Sequence, residues 1–126
     1  MQKQSPHYDI SETILSIFQD WAEASKKADF HIMESLVVAD SDFMEVTQDC
    51  KKLSELGIKC FYEFSNLEIM GALDDTGQLM VGGEVRLLNS GSKVDYQGTF
   101  LSKCVREEAE GQDSSWKLGD IQFFWE

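Results

Sequence analysis

The segments KVDYQGTFLSKCVRE (93–107), EAEGQDSS (108–115) and WKLGDIQFFW (116–125) read as two long strands joined by a polar turn. Both strands carry apolar side chains on both faces. A sheet with one solvated face alternates cleanly between apolar and polar residues. These strands do not, so each face is expected to meet something. The end of the second strand makes the point sharply. Phe123, Phe124 and Trp125 are consecutive, and consecutive strand residues face opposite sides. They cannot all enter one core, and surplus apolar surface on an outer face marks a site of association.

A chain of 126 residues reads as one domain, 1–126, with residues 1–8 loosely docked. Its 42% hydrophobic content is enough for a packed core and argues against disorder. With 11 basic and 23 acidic residues the net charge is −12. Phosphate binding needs Lys and Arg, so nucleic acid and anionic membrane are excluded as expected partners. No apolar run approaches the roughly 20 residues of a membrane helix, and MQKQSPHYDI (1–10) lacks the apolar segment of a signal peptide. Cys50, Cys60 and Cys104 are odd in number and without metal-type spacing, as expected of reduced thiols in a cytoplasmic protein. Gly82-Gly83 lies inside a strand with no helix after it, so no phosphate-cradling loop is present. The expectation is no metal and no cofactor.

Upstream, Asp9 and Glu12 form a capping-box pattern ahead of Ile14, Phe18, Trp21, Ala22 and Ser25, which recur at helical spacing. The predicted first helix is 10–27. Asp29 caps a second over 29–39, with Phe30, Met33, Leu36 and Val37 as its buried face. Phe43–Thr47 reads as a short strand. Leu53, Leu56, Cys60, Phe61 and Phe64 form a third helical stripe over 50–65, interrupted by Gly57; the alternative ends that helix at Gly57 and starts a strand at Ile58. Asn66–Leu73 and Gln78–Leu88 are strands, with turns at Asp74–Gly77 and Asn89–Ser92. Gly82, Gly83 and Gly98 inside strands indicate a strongly curved sheet.

Three segments carry a family resemblance: Ala28-Asp29-Phe30 leading to Leu36-Val37-Val38-Ala39-Asp40, then Gly57-Ile58-Lys59-Cys60-Phe61-Tyr62, then Trp116-Lys117-Leu118. With the element order, the chain resembles the nuclear transport factor 2-like superfamily, which includes ketosteroid isomerases, cyclases of the SnoaL type, dehydratases and non-enzymatic modules. The resemblance implies an α+β fold: three N-terminal helices packed on a strongly curved antiparallel sheet, forming a cone with an internal pocket. It also implies a homodimer through the outer face of the sheet, here through residues of Val94–Val105 and Phe123 or Trp125.

Compared with ketosteroid isomerases, Tyr62 falls on a tyrosine that supports the oxyanion hole. Trp21 stands near the donor tyrosine, Val46 near the base aspartate with Glu45 beside it, and Phe100 near the protonated aspartate. Trp21, Val46 and Phe100 cannot supply that chemistry. SnoaL-type members use histidine–aspartate pairs on later strands, and no histidine follows His31. His7 and His31 read as surface residues.

Asp120 is the sole carboxylate of 116–125. If the face it shares with Trp116, Leu118 and Gln122 lines the cone, it is a carboxylate in an apolar pocket, with a raised pKa suited to acid–base work. Otherwise it is a solvated outward residue. Glu84 and Arg86, on one face with Met80 and Leu88, read as a pocket ion pair or a solvated one. Asp120 and Tyr62 are thus the candidate catalytic residues, and Trp21, Phe61, Tyr96, Phe100 and Gln122 the candidate ligand contacts. Three functions remain open. One is a pocket protein binding a small apolar molecule. The second is an isomerase, cyclase or dehydratase using Asp120 with Tyr62 or Tyr96. The third is an interaction or oligomerisation module. An open cavity favours the first two, according to whether Asp120 converges on a tyrosine; a filled cone favours the third.

Overall fold

The computed structural model describes residues 6–74, 78–89, 94–107 and 115–126. The expected turns at 74–77, 89–92 and 108–115, and most of the loosely docked 1–8, lie almost wholly outside them. Three helices, α1 (Pro6–Lys26), α2 (Phe30–Ser35) and α3 (Asp42–Glu55), precede four strands, β1 (Cys60–Asp74), β2 (Gln78–Asn89), β3 (Val94–Glu107) and β4 (Ser115–Trp125). The strands form one antiparallel sheet in the order β1-β2-β3-β4.

α1 buries Ile14, Phe18, Trp21, Ala22 and Ser25 on one stripe, as the spacing predicts. Among the described residues it runs from Pro6, ahead of the expected cap at Asp9. Asp29 caps α2 as expected, its Oδ1 accepting the Ile32 N–H at 3.3 Å. The helix is shorter than 29–39: Leu36 caps it at Ser35.

α3 replaces both the expected strand at Phe43–Thr47 and the expected helix over 50–65. Phe43, Thr47 and Cys50 stand at i, i+4 and i+7 and are all buried, a helical stripe. Ser41 supplies the N-cap, its Oγ accepting the Met44 N–H at 3.2 Å. Gly57, at φ +84°, ends the helix. The Gly57 N–H reaches the Ser54 carbonyl at 3.0 Å and the Ile58 N–H reaches the Leu53 carbonyl at 2.9 Å. This paired closure through a left-handed glycine satisfies carbonyls the helix leaves open. The chain beyond it is therefore strand: Cys60, Tyr62 and Phe64 are buried in alternation.

The sheet curls over α1. β1 bulges between Ser65 and Glu68, where Asn66 adopts φ +51°. β4 bulges beside Lys103: Ser102 pairs Ile121 and Cys104 pairs Leu118, so Gly119 and Asp120 together oppose one residue. The outer edge of β4 is covered by the α2–α3 connection. Val38 N–H donates to the Leu118 carbonyl at 2.8 Å, and Leu118 N–H to the Leu36 carbonyl at 2.9 Å. Between helices and sheet, the rings of Phe18, Trp21, Phe43, Phe64 and Phe100 meet at centroid separations of 5.1–6.4 Å. Trp21 also donates its indole N–H to Thr47 Oγ1 at 3.0 Å, and the Thr47 hydroxyl donates to the Phe43 carbonyl at 2.8 Å. The interior is thus occupied by interlocking rings with its one buried indole satisfied.

Candidate functional site

The bulge in β4 determines where the candidate residues go. Without it, Trp116, Leu118, Asp120 and Gln122 would share a face. With it, Leu118 and Ile121 are buried, and Asp120 and Gln122 are exposed. Asp120 lies at the N-terminus of α3, where its Oδ1 accepts the Asp42 N–H at 3.2 Å. A carboxylate there satisfies an open helix donor and sits favourably in the helix dipole. Gln122 is opposite Leu101 on the outer face, away from the interior it was expected to line.

Tyr62 projects from β1, not from a helix, onto the inner face. Its N–H donates to Ser25 Oγ at 3.2 Å, tying β1 to α1. Burial first, then the neighbouring Cys50, Cys60 and Asp49, pushes its phenol well above the usual tyrosine range. The hydroxyl is held neutral. Its ring lies 5.4 Å from Trp21 and 5.7 Å from Phe123, stacked on the latter at 22°. From there a ladder of rings runs outward: Phe123 stacks on Trp125 at 5.1 Å, and Trp125 meets Tyr96 edge-on at 6.3 Å. Trp125 and Tyr96 are 39% and 45% exposed. Tyr62 therefore belongs to a ring stack that climbs from the core to the rim, and Asp120 to an exposed helix end.

The other expected ligand contacts divide. Trp21 and Phe100 are fully buried in the ring cluster. Phe61 is half-buried, with the Lys26 ammonium 6.0 Å from its ring centre. Tyr96 is the outermost rung of the ladder. Glu84 and Arg86 take separate partners: Asn66 Nδ2 donates to Glu84 at 2.8 Å, while Arg86 pairs with Asp95 at 2.6 Å and Glu63 at 3.6 Å. Glu63 also takes Lys26 at 3.2 Å. Lys26, Glu63 and Arg86 border a cleft of about 360 Å³ between α1 and the β1–β2 strands. They are well solvated, so each pair contributes ~0–1 kcal/mol. His31 is exposed. Among the described residues no group of His, Cys, Asp and Glu is arranged to hold a metal ion.

On the outer face a groove of about 310 Å³ runs between Met70, Leu101 and Phe124 over Gly82 and Gly83. A Cβ on Gly82 would come within 2.6 Å of the Met70 sulfur, so the glycine lets Met70 lie across the sheet. Met70 is 57% and Phe124 45% exposed. Phe124 is the aromatic residue of β4's end that faces outward; Phe123 and Trp125, expected at the outer face, share the inner one. The signal in the sequence is Gly119, since glycine inside a strand often marks a bulge, and this bulge reverses the facing of every residue after it.

The cysteines are all buried and free. Burial pushes the Cys104 thiol up to about 12. Cys50 and Cys60 act on one another's ionisation: the Cys60 thiol, together with burial, raises Cys50, while Cys50 lowers Cys60 against the effect of burial.

Three helices against a curled four-strand antiparallel sheet, with the β4 edge covered by the α2–α3 connection, make this an α+β cone. The chain is similar in structure to Aln2 from a Streptomyces species, with a TM-score of 0.67 at 10% identity over 98% of this chain and 94% of that one. It is similar to a protein with a cystatin-like fold from Nostoc punctiforme, at 0.63 and 12%, over 99% and 96%. Bd1075 of Bdellovibrio bacteriovorus matches at 0.70 and 12%, over 98% of this chain but 44% of its own length. Such identities establish a common fold. No protein-family model and no curated protein matches the sequence. No helix among the described residues is long and apolar enough to cross a membrane.

Proposed function

We propose that the chain is a non-catalytic association module that pairs with a second copy of itself through the outer face of its sheet. One observation carries this reading: aromatic rings pack the space between helices and sheet while the outer face carries Met70 and Phe124 well exposed beside Leu101. The size of the face is suitable. Strands of 11 to 15 residues at ~3.3 Å each, four abreast at ~4.8 Å, cover roughly 800 Å², comparable with the ~800 Å² per partner of a stable interface. With a net charge of −12, two copies repel, and salt screens that repulsion. Sedimentation equilibrium is the test. A dimer at micromolar concentration that tightens with added salt, and that Phe124→Asp turns into a folded monomer, supports the proposal. A wild-type monomer at high salt overturns it.

The ring ladder supports a second reading, a small flat apolar molecule held at the rim. Trp125 and Tyr96 offer exposed faces on the concave side, and stacked aromatic rings favour offset contact with another planar group. Nile red titrated against the protein should quench or shift the emission of Trp125. The signal should vanish in Trp125→Leu. An unchanged response in that variant rules out the rim as the site.

A further inference from the structure

We infer that the two copies meet in one register, with Phe124 of each entering a hollow on the other and Lys103 of each pairing with Glu84 of the other. The inference rests on the dimer reading and fixes its symmetry axis. The strand register lays the outer face out in rows. Gly82, Leu101 and Gln122 form one row across β2, β3 and β4. Two residues along the strands to one side stand Glu84, Thr99 and Phe124. Two residues to the other side stand Met80 and Lys103, with Asp120 in the β4 bulge beside them. The middle row is low, because its glycine has no side chain and Met70 lies across it. The rows flanking it are unlike. One carries a knob, the exposed ring of Phe124. The other carries a hollow of about 200 Å³, bordered by Met80, Leu101, Lys103, Asp120 and Gln122. A cavity of ~150 Å³ already admits benzene, so the hollow is of a size to take a phenyl ring.

A twofold interface sets one patch against itself, so each contact between two unlike residues is made twice. An axis lying between the two sheets along the middle row sets each flanking row against the opposite flanking row of the partner. Phe124 then faces the hollow of the other copy. Lys103 faces the partner's Thr99, and Glu84 stands beside that threonine, ~4.8 Å across the strand pair and within reach of a lysine. The charges support this axis. Among the described residues Lys103 is in no ion pair. Glu84 takes Asn66 and Ser65 on Oε1 alone, which holds the carboxylate in place and leaves Oε2 open. An axis running along the strands instead sets Lys103 on the partner's Met80 and Glu84 on the partner's Thr99. Both charges then enter the contact unpaired, which costs free energy.

Sedimentation equilibrium of charge variants at one ionic strength, each checked for folding by circular dichroism, tests the register. Glu84→Lys replaces one negative charge by one positive and takes the net charge from −12 to −10. Were overall repulsion alone at work, it would tighten the dimer. In this register it brings two cations together, and the dimer should be roughly 10-fold weaker. Glu84→Gln keeps an acceptor for Asn66 and should also weaken the dimer, although it too lowers the net charge. Lys103→Glu should weaken it as much as Glu84→Lys. The double exchange restores −12 and should return the dimer to within about threefold of wild type. Phe124 and Met80 border different grooves within one chain, so Phe124→Ala and Met80→Ala should be less than additive only if they meet across the interface. A dimer that Glu84→Lys or Glu84→Gln tightens, a double exchange no better than the single ones, or additive alanine losses overturn this register and leave the dimer standing. A wild-type monomer overturns both.

Discussion

Tyr62 and Phe123 stack at 5.7 Å although they belong to β1 and β4, strands at opposite edges of the sheet. Only strong curvature brings two edges within ring contact. The contact also begins the ladder that ends on Trp125 and Tyr96. Phe123→Ala should remove its middle rung. The expected cost is ~2 kcal/mol, below that of a fully buried phenylalanine because Phe123 is only half-buried. Urea unfolding measures it, and Trp125 emission should shift to the red. A loss within error of zero would mean the two edges do not need this contact.

Thr47 does double duty inside α3, accepting from Trp21 and donating to Phe43. Thr47→Val keeps the shape and leaves the indole N–H buried without a partner. The predicted loss is ~1–3 kcal/mol, larger than a volume-conserving swap would cost. Thr47→Ser, which keeps the hydroxyl, should restore part of it. Equal losses in the two variants would assign the effect to packing instead.

Asp120, placed at the α3 N-terminus, should act on stability. Asp120→Ala removes the bond to the Asp42 N–H and should cost ~1 kcal/mol, as for other exposed helix caps. Asp120→Asn keeps an acceptor oxygen and should lose less. Thermal unfolding at low and high salt compares the two. If both variants melt with the wild type, the contact contributes nothing.

Alkaline pH should unfold the protein through its buried thiol and phenol. Cys104 titrates at about 12 folded against 9.0 ordinarily, so the folded state holds the proton longer. Its contribution is whole below pH 9 and is lost as pH rises from about 9 to about 12; Tyr62, also raised, adds loss in the same direction. The combined fall should be on the order of a few kcal/mol. Cys104→Ala should flatten the slope above pH 9 relative to wild type, whatever its effect at neutrality. An identical slope would show that Cys104 is not the group responsible.

The sequence alone determined features that local chemistry governs. The α1 stripe, the Asp29 cap and the three later strands follow from periodicities and turn residues lying next to one another in the chain. The two-sided apolar character of β3 and β4 was legible for the same reason: Leu101, Phe123 and Phe124 are adjacent or nearly so to residues of the opposite face. Tertiary structure decided the rest. Phe43–Thr47 has strand-like composition but becomes helix, because Ser41 caps it and its stripe finds Phe18 and Trp21. Leu53, Leu56, Cys60, Phe61 and Phe64 fit a helical spacing, but Gly57 turns left-handed and β2 offers Cys60–Phe64 a partner. The phase of β4 was hidden too. One extra residue beside Lys103 exchanges the faces of everything beyond it. Because side chains alternate with a period of two, that one residue brings Phe123 and Trp125 inside and leaves Gln122 and Phe124 out.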